Sequence, residues 1–266
     1  MPINQTGGFL NPDFGWFLSR CFHIEWILND ERFDQAMGRL NFFQEQGDIA
    51  LIIGQTGIGK SSLIRLFTNS IPKNRCRIVY LHLTNMTPGA FLRSIVTQLG
   101  ESPRFGKDRL FLQIMERIQK HETETIIIID EAHLVPSQSL TDLRLLVSSG
   151  KNLSCKLILS GQEPLAYALN RSVHADLMHR ICVRCRLHPI TKSQTIAYID
   201  HRLRCAKASD KLFEPEAKTV IHDYSGGVPR QINNIATACL INAASRNLLR
   251  IDEQLVNETM AEFKLS

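Results

Sequence analysis

The sequence predicts an α/β fold: a parallel sheet with helices on both faces, followed by a small all-helical domain. Three observations carry this. Between residues 48 and 187, strand-like and helix-like segments alternate, the pattern of parallel strands joined by crossover helices. The strand at 125–130 is a run of isoleucines without alternation, as burial on both faces requires. After Pro189 the strand signals stop and only helical periodicity remains.

The elements follow in order. Residues 1–40 form a lead-in rich in aromatics (Phe9, Phe14, Trp16, Phe17, Phe22, Trp26). Residues 48–54 (DIALIIG) read as a continuous apolar strand ending in glycine, and 60–70 as a helix stopped by Pro72. A second strand is expected at 77–83 (RIVYLHL). Helices are expected at 88–99 and 107–121, the first with Phe91, Ile95, Val96 and Leu99 on one face. The isoleucine strand leads to a helix at 139–148, a fourth strand at 155–160 (CKLILS) and a fifth at 181–187. Helices at 191–206, 214–224, 229–244 and 252–263 complete the chain. Thr191 and Asp252 are placed as N-caps, and Gly226 with Gly227 marks a break. The expected organisation is a lead-in (1–40), an α/β domain (41–189) and a helical domain (190–266).

Composition excludes several classes. With 44% apolar and 21% charged residues, the 266-residue chain is that of an ordinary globular protein. No apolar run approaches the roughly 20 residues that span a bilayer, and residues 1–11 lack a signal-peptide pattern, so a cytoplasmic protein without a membrane role is expected. Seven scattered cysteines fit reduced thiols, and the Cys182/Cys185 pair lacks the partners of a zinc site. The net charge of +5 is unevenly spread: residues 171–250 hold 13 Lys/Arg against 6 Asp/Glu. That basic third suits either phosphate binding or a solvated surface.

The chemistry concentrates in one motif. Gly54, Gln55, Thr56, Gly57, Ile58, Gly59, Lys60 and Ser61 match G-x-x-x-x-G-K-[ST] at every fixed position, between a buried strand and a helix, with Ser62 next in line. The glycines let successive N–H groups and the helix N-terminus converge on phosphate oxygens. Lys60 is placed for the β- and γ-phosphates of ATP, and Ser61 for a Mg2+ ion. Asp130 and Glu131 end the isoleucine strand at its C-terminal edge, where open α/β sheets bind ligands. Asp130 suits the Mg2+ shell and Glu131 suits a water-polarising base. Three further residues fit roles in hydrolysis: Gln162 after the fourth strand, Arg180 before the fifth, and Arg230 near the start of a C-terminal helix.

This order of parts resembles the AAA+ ATPases over residues 33–263, which implies a P-loop NTPase fold with a helical lid. The resemblance makes 54–61 the Walker A loop, Asp130 and Glu131 the Walker B pair and Gln162 a sensor. Arg180 becomes the arginine finger acting on a neighbour's ATP, and Arg230 a second sensor. More narrowly, 128–133 (IIDEAH), 143–146 (LRLL), 161–165 (GQEPL), 179–181 (HRI), 198–203 (YIDHRL) and 225–233 (SGGVPRQIN) look like the ExeA-like group. That group includes general-secretion ATPases and the transposon-associated ATPases (TniB/TnsC/MuB-like). The chain length leaves no room for the membrane segment and extra domain of the secretion members, so the transposon-associated form is expected.

The expectation is therefore an ATP-hydrolysing protein that self-assembles into a ring or filament. It would bind double-stranded DNA and serve a transposase as an accessory or target-selection factor. A secretion-linked or protein-remodelling ATPase without a DNA role is the alternative, and a nucleotide-gated switch with negligible turnover a third. His133 gives the helicase-like string DEAH, but the second motor domain of a helicase is not expected in this length. By charge alone, Arg184, Arg186, Arg202 and Arg204 are candidates for DNA contact.

Overall fold

A computed structural model of the chain describes residues 30–72, 74–148 and 155–263. It divides into two compact units, one spanning Asp30–His188 and the other containing the chain from Pro189 onward. The aromatic lead-in up to residue 29 lies outside the described residues.

The first unit is built on five parallel strands: β1 (Ile49–Ile53), β2 (Cys76–His82), β3 (Glu124–Asp130), β4 (Cys155–Gly161) and β5 (Ile181–Arg186). Their order is β2-β3-β4-β1-β5. The apolar run that predicts a doubly buried strand does so correctly: Ile126, Ile127, Ile128 and Ile129 are at most 1 % exposed. Alternate strand residues Leu51, Val79, Ile127 and Leu157 join a core with Phe91, Ile95, Ile114, Leu143 and Leu165 from the intervening helices. Side chains of opposite parity, such as Ala50, Ile52, Ile128 and Ile158, are fully buried as well, so the other face is also covered. Helices Glu31–Gln46 and Lys60–Ser70 belong to that side, their Phe43 and Phe67 rings 6.3 Å apart.

The helix Glu31–Gln46 corrects the expected boundary at residue 40. Asp30 caps it by accepting from the N–H groups of Arg32 and Phe33, and the helix runs through residue 40 to Gln46. Phe33, Ala36, Leu40 and Phe43 form its buried stripe. Spacing of three and four residues gives this stripe, but charged and amide residues separate its members. Two short helices, Glu163–Leu169 and Ala175–His179, lie between β4 and β5.

The second unit is all-helical as expected: Lys192–Cys205, Pro215–Ser225, Pro229–Ser245 and Glu253–Phe263. Thr191 and Gln194 form a reciprocal capping box, and Asp252 accepts from Leu255 N at 2.8 Å. Ile199, Leu203, Phe213, Ile221, Ile232, Cys239 and Val256 make its core. Gly227 is required here: its φ is +72°, and a Cβ would sit 2.1 Å from Ile190 O. Within this unit Arg202 is only 2 % exposed, its guanidinium over the Tyr198 ring, so burial removes it from the surface candidates for DNA contact. Arg204 on the same helix is exposed.

Candidate functional site

Parallel strands bring their C-terminal ends to one edge of the sheet, and the sequence concentrates its polar residues there. β1 ends at Ile53, and Gly54 N–H bonds Gly161 O at 3.1 Å, tying the loop after β1 to the end of β4. A side chain at 54 would meet Ile58 Cγ2 at 2.8 Å and Leu187 O at 3.1 Å, so the turn closes only with glycine. Gly57 and Gly59 have φ of +78° and +113°. Beside Gly59 stands the Phe33 ring, 3.1 Å from where a Cβ would be, which sets the first helix against the loop.

Lys60 opens the helix Lys60–Ser70, yet it is only 4 % exposed. Its ammonium donates to Gly54 O at 2.8 Å and Gln55 O at 3.1 Å. The loop thus curls around a buried cation. The next residue, Ser61, donates its hydroxyl to Asp130 Oδ2 at 2.6 Å.

Asp130 is the hub of the cluster. It is fully buried and accepts from Tyr80 OH at 2.8 Å, Ser160 Oγ at 2.8 Å and Glu131 N at 3.0 Å as well as from Ser61. Burial is the largest influence on its carboxyl and acts to raise the pKa. The donors Ser61, Ser160, Tyr80 and the Glu131 N–H together outweigh it, so the group lies below the ordinary value. The Tyr80 phenol is pushed up by burial and by the Asp130 charge, which keeps it a donor.

Glu131 turns the chain sharply: its φ/ψ of 56°/36° is the left-handed region, unusual for a residue with a side chain. A 3-10 turn, Ala132–Leu134, follows and places His133 Nδ1 3.3 Å from Glu131 Oε2. From the end of β4, Gln162 Nε2 reaches His133 Nε2 at 3.2 Å.

The structure therefore gathers Lys60, Ser61, Asp130, Glu131 and Gln162 at one edge. Arg180 is at the other: it immediately precedes β5, whose Ile181 pairs with Ile49 at the start of β1. Its guanidinium approaches Asp48, 3.9 Å away. A five-residue strand separates that edge from the glycine loop, about 16 Å at 3.3 Å per residue. Arg180 borders a shallow surface cavity with Arg144, Leu145, Asp176 and His179. Arg230 belongs to the helical unit, exposed on the first turn of Pro229–Ser245.

Sequence reasoning gave no role to Tyr80, Ser160, His133 or Phe33. The parallel register brings Tyr80 to the site: it lies across from Ile128, two residues before Asp130, on the neighbouring strand.

The residues fit ATP with magnesium. Ser61 hydroxyl and Asp130 carboxylate are the hard oxygen donors such an ion takes, and the loop offers N–H groups, a helix start and Lys60 to phosphates. Among the described residues no group of three or more His, Cys, Asp or Glu is arranged to hold a metal, and no helix is long and apolar enough to cross a membrane.

Comparison with known proteins agrees with this geometry. Residues 44–169 match the family model described as the AAA domain. The chain is 29% identical over 238 residues to general secretion pathway protein A of Aeromonas hydrophila, spanning 85% of this chain and only 43% of that protein. Among solved structures it resembles the Aeropyrum pernix ORC1 protein in complex with DNA, with a TM-score of 0.71 at 16% identity over 94% of this chain and 69% of that one. The Thermotoga maritima RuvB Holliday junction branch migration motor is similar, with a TM-score of 0.64 at 16% identity over 94% and 74%. The fold is thus like that of these structures, a parallel α/β sheet followed by a helical C-terminal part, and residues 44–169 resemble an AAA domain.

Proposed function

We propose that this chain binds ATP with magnesium at the loop 54–61 and hydrolyses it. In this reading it is a self-assembling accessory or target-selection factor that works on double-stranded DNA in transposition. The observation that carries the ATPase part is the four-donor hub on Asp130, which joins Ser61 to the end of β3 with Glu131 adjoining.

Ser61 and Asp130 would hold the magnesium ion, which supplies positive charge to the phosphates when bound. Lys60 exchanges its two loop carbonyls for phosphate oxygens. The Glu131 carboxylate takes the proton of a water that attacks the γ-phosphorus, while the bond from that phosphorus to the ADP oxygen breaks, leaving ADP and inorganic phosphate. Gln162 holds the water or the γ-phosphate oxygens through its amide. Arg180, too distant for this chain's own loop, serves the site of an adjoining copy, where its charge stabilises the transition state. Arg230 acts as the helical unit's sensor of the phosphates.

Support for the DNA role is the basic balance of residues 171–250 and the similarity in fold to ORC1 and RuvB, whose descriptions name DNA and a Holliday junction. Gel-shift or filament assays test it. Nucleotide-dependent DNA association that weakens steeply with salt is expected, and no association at low salt with any nucleotide state overturns it. The identity to general secretion pathway protein A favours a second reading, a secretion-linked or protein-remodelling ATPase without DNA. Under that reading ATP turnover persists and DNA leaves it unchanged.

A further inference from the structure

His133 belongs to neither nucleotide-binding motif, yet it bridges Glu131 and Gln162. It lies between Glu131 Oε2, 3.3 Å from its Nδ1, and Gln162 Nε2, 3.2 Å from its Nε2. Its ring is 15 % exposed, and Nδ1 itself is buried without a hydrogen bond that satisfies good geometry. The Glu131 oxygen is thus close to, but not in line with, a buried donor that has no other partner of good geometry.

Two features hold this arrangement. Glu131 takes a left-handed conformation that turns the chain back on itself, a strain that persists only where the surroundings impose it. Gly161 allows the close approach: a Cβ there would lie 3.2 Å from His133 N and 2.9 Å from Leu165 Cδ2. That contact brings Gln162, the next residue, against the imidazole.

We propose that His133 is a positioning residue that aims the Glu131 carboxylate, and that Gln162 sets its proton. This role rests on Glu131 being the water-activating carboxylate of the proposed function. As placed, the Gln162 amide donates to Nε2, and a neutral imidazole that accepts at Nε2 carries its hydrogen on Nδ1. That hydrogen faces Glu131. A small rotation of the carboxylate completes the bond, so a movement of Gln162 at the γ-phosphate is passed to the group that activates water. The coupling runs through three side chains in contact.

The test combines kinetics with a measurement on nucleotide-free protein. His133→Ala is expected to lower kcat about tenfold to a hundredfold, the scale of a misplaced catalytic group, while the Kd for a fluorescent ATP analogue with magnesium stays within about twofold. His133→Asn, whose amide reaches the Nδ1 position, restores part of kcat. Adding Gln162→Ala to His133→Ala costs less than the sum of the two single effects, because both break one chain. In 15N spectra of the nucleotide-free protein, the neutral His133 ring shows the Nδ1-protonated tautomer and loses that preference in Gln162→Ala. Additive kcat losses overturn the proposal, and an Nε2-protonated ring in the wild type does so even if His133→Ala does not fold. Glu131→Gln separates the two levels. If it turns over like the wild type, the reading of Glu131 fails; if it is inactive and His133→Ala is not, only the role of His133 fails.

Discussion

Ser61 donates its hydroxyl to Asp130 Oδ2 at 2.6 Å, joining the first turn after the glycine loop to the end of a strand 69 residues later. The pair defines where the ion is expected to sit, and it also stabilises the fold before any ligand binds.

Asp130→Asn is expected to destabilise nucleotide-free protein by about 1–3 kcal/mol, since an amide replaces one acceptor oxygen facing buried donors. Chemical denaturation measures it. The carboxyl lies below its ordinary value, despite burial, because Ser61, Ser160, Tyr80 and Glu131 N–H donate to it. Its contribution is therefore present above the unfolded pKa and is lost as the pH falls through the folded one. The gap between wild type and variant stays constant near neutrality and narrows below about pH 4.

Lys60→Ala removes the buried cation that now holds Gly54 O and Gln55 O. Two charge-assisted bonds to phosphate at about 1.5–3 kcal/mol each predict at least a hundredfold rise in the Kd for ATP. Isothermal titration checks this, and binding within a factor of about three contradicts the placement of the phosphates.

Arg180→Ala is expected to spare ATP binding and to lower assembly-stimulated hydrolysis by about a thousandfold or more, as loss of a trans-acting arginine does. Turnover should rise with concentration in the wild type and not in the variant. Mixing Arg180→Ala with Lys60→Ala, which keeps its arginine and lacks a nucleotide site, should restore activity. Normal hydrolysis by assembled Arg180→Ala contradicts the assignment.

The cysteines offer a test of the packing. Burial pushes the Cys155 thiol up to about 12 and the Cys239 thiol up to about 11, whereas Cys182 is exposed. Mass spectrometry after alkylation of native protein should find Cys182 modified and Cys155 and Cys239 protected until unfolding. Because both folded values are raised, their stabilising effect is complete below about pH 9 and is lost as the pH rises through them.

Much of this was legible in the sequence where one physical requirement dominated. An isoleucine run with no polar face had to be a central strand, and a glycine loop between strand and helix had to turn tightly at a helix start. The helix Glu31–Gln46 was missed because its buried stripe of Phe33, Ala36, Leu40 and Phe43 is diluted by glutamates, glutamines and arginines. Gln162 comes near Glu131 only through the strand order, in which β3 and β4 are adjacent. Tyr80 and His133 were out of reach for another reason. Their roles depend on parallel register and on a left-handed turn at Glu131, neither of which has a local sequence signature.

The proposed function turns on ATP hydrolysis at the cluster around Asp130 and Glu131. Phosphate release by the assembled wild type and by Glu131→Gln, with ATP affinity measured in parallel, tests it most directly. Equal affinity is expected, with a rate about a hundredfold to ten-thousandfold lower in the variant, the range of a general base. Equal rates in the two proteins, whether both fast or both near zero, would contradict it.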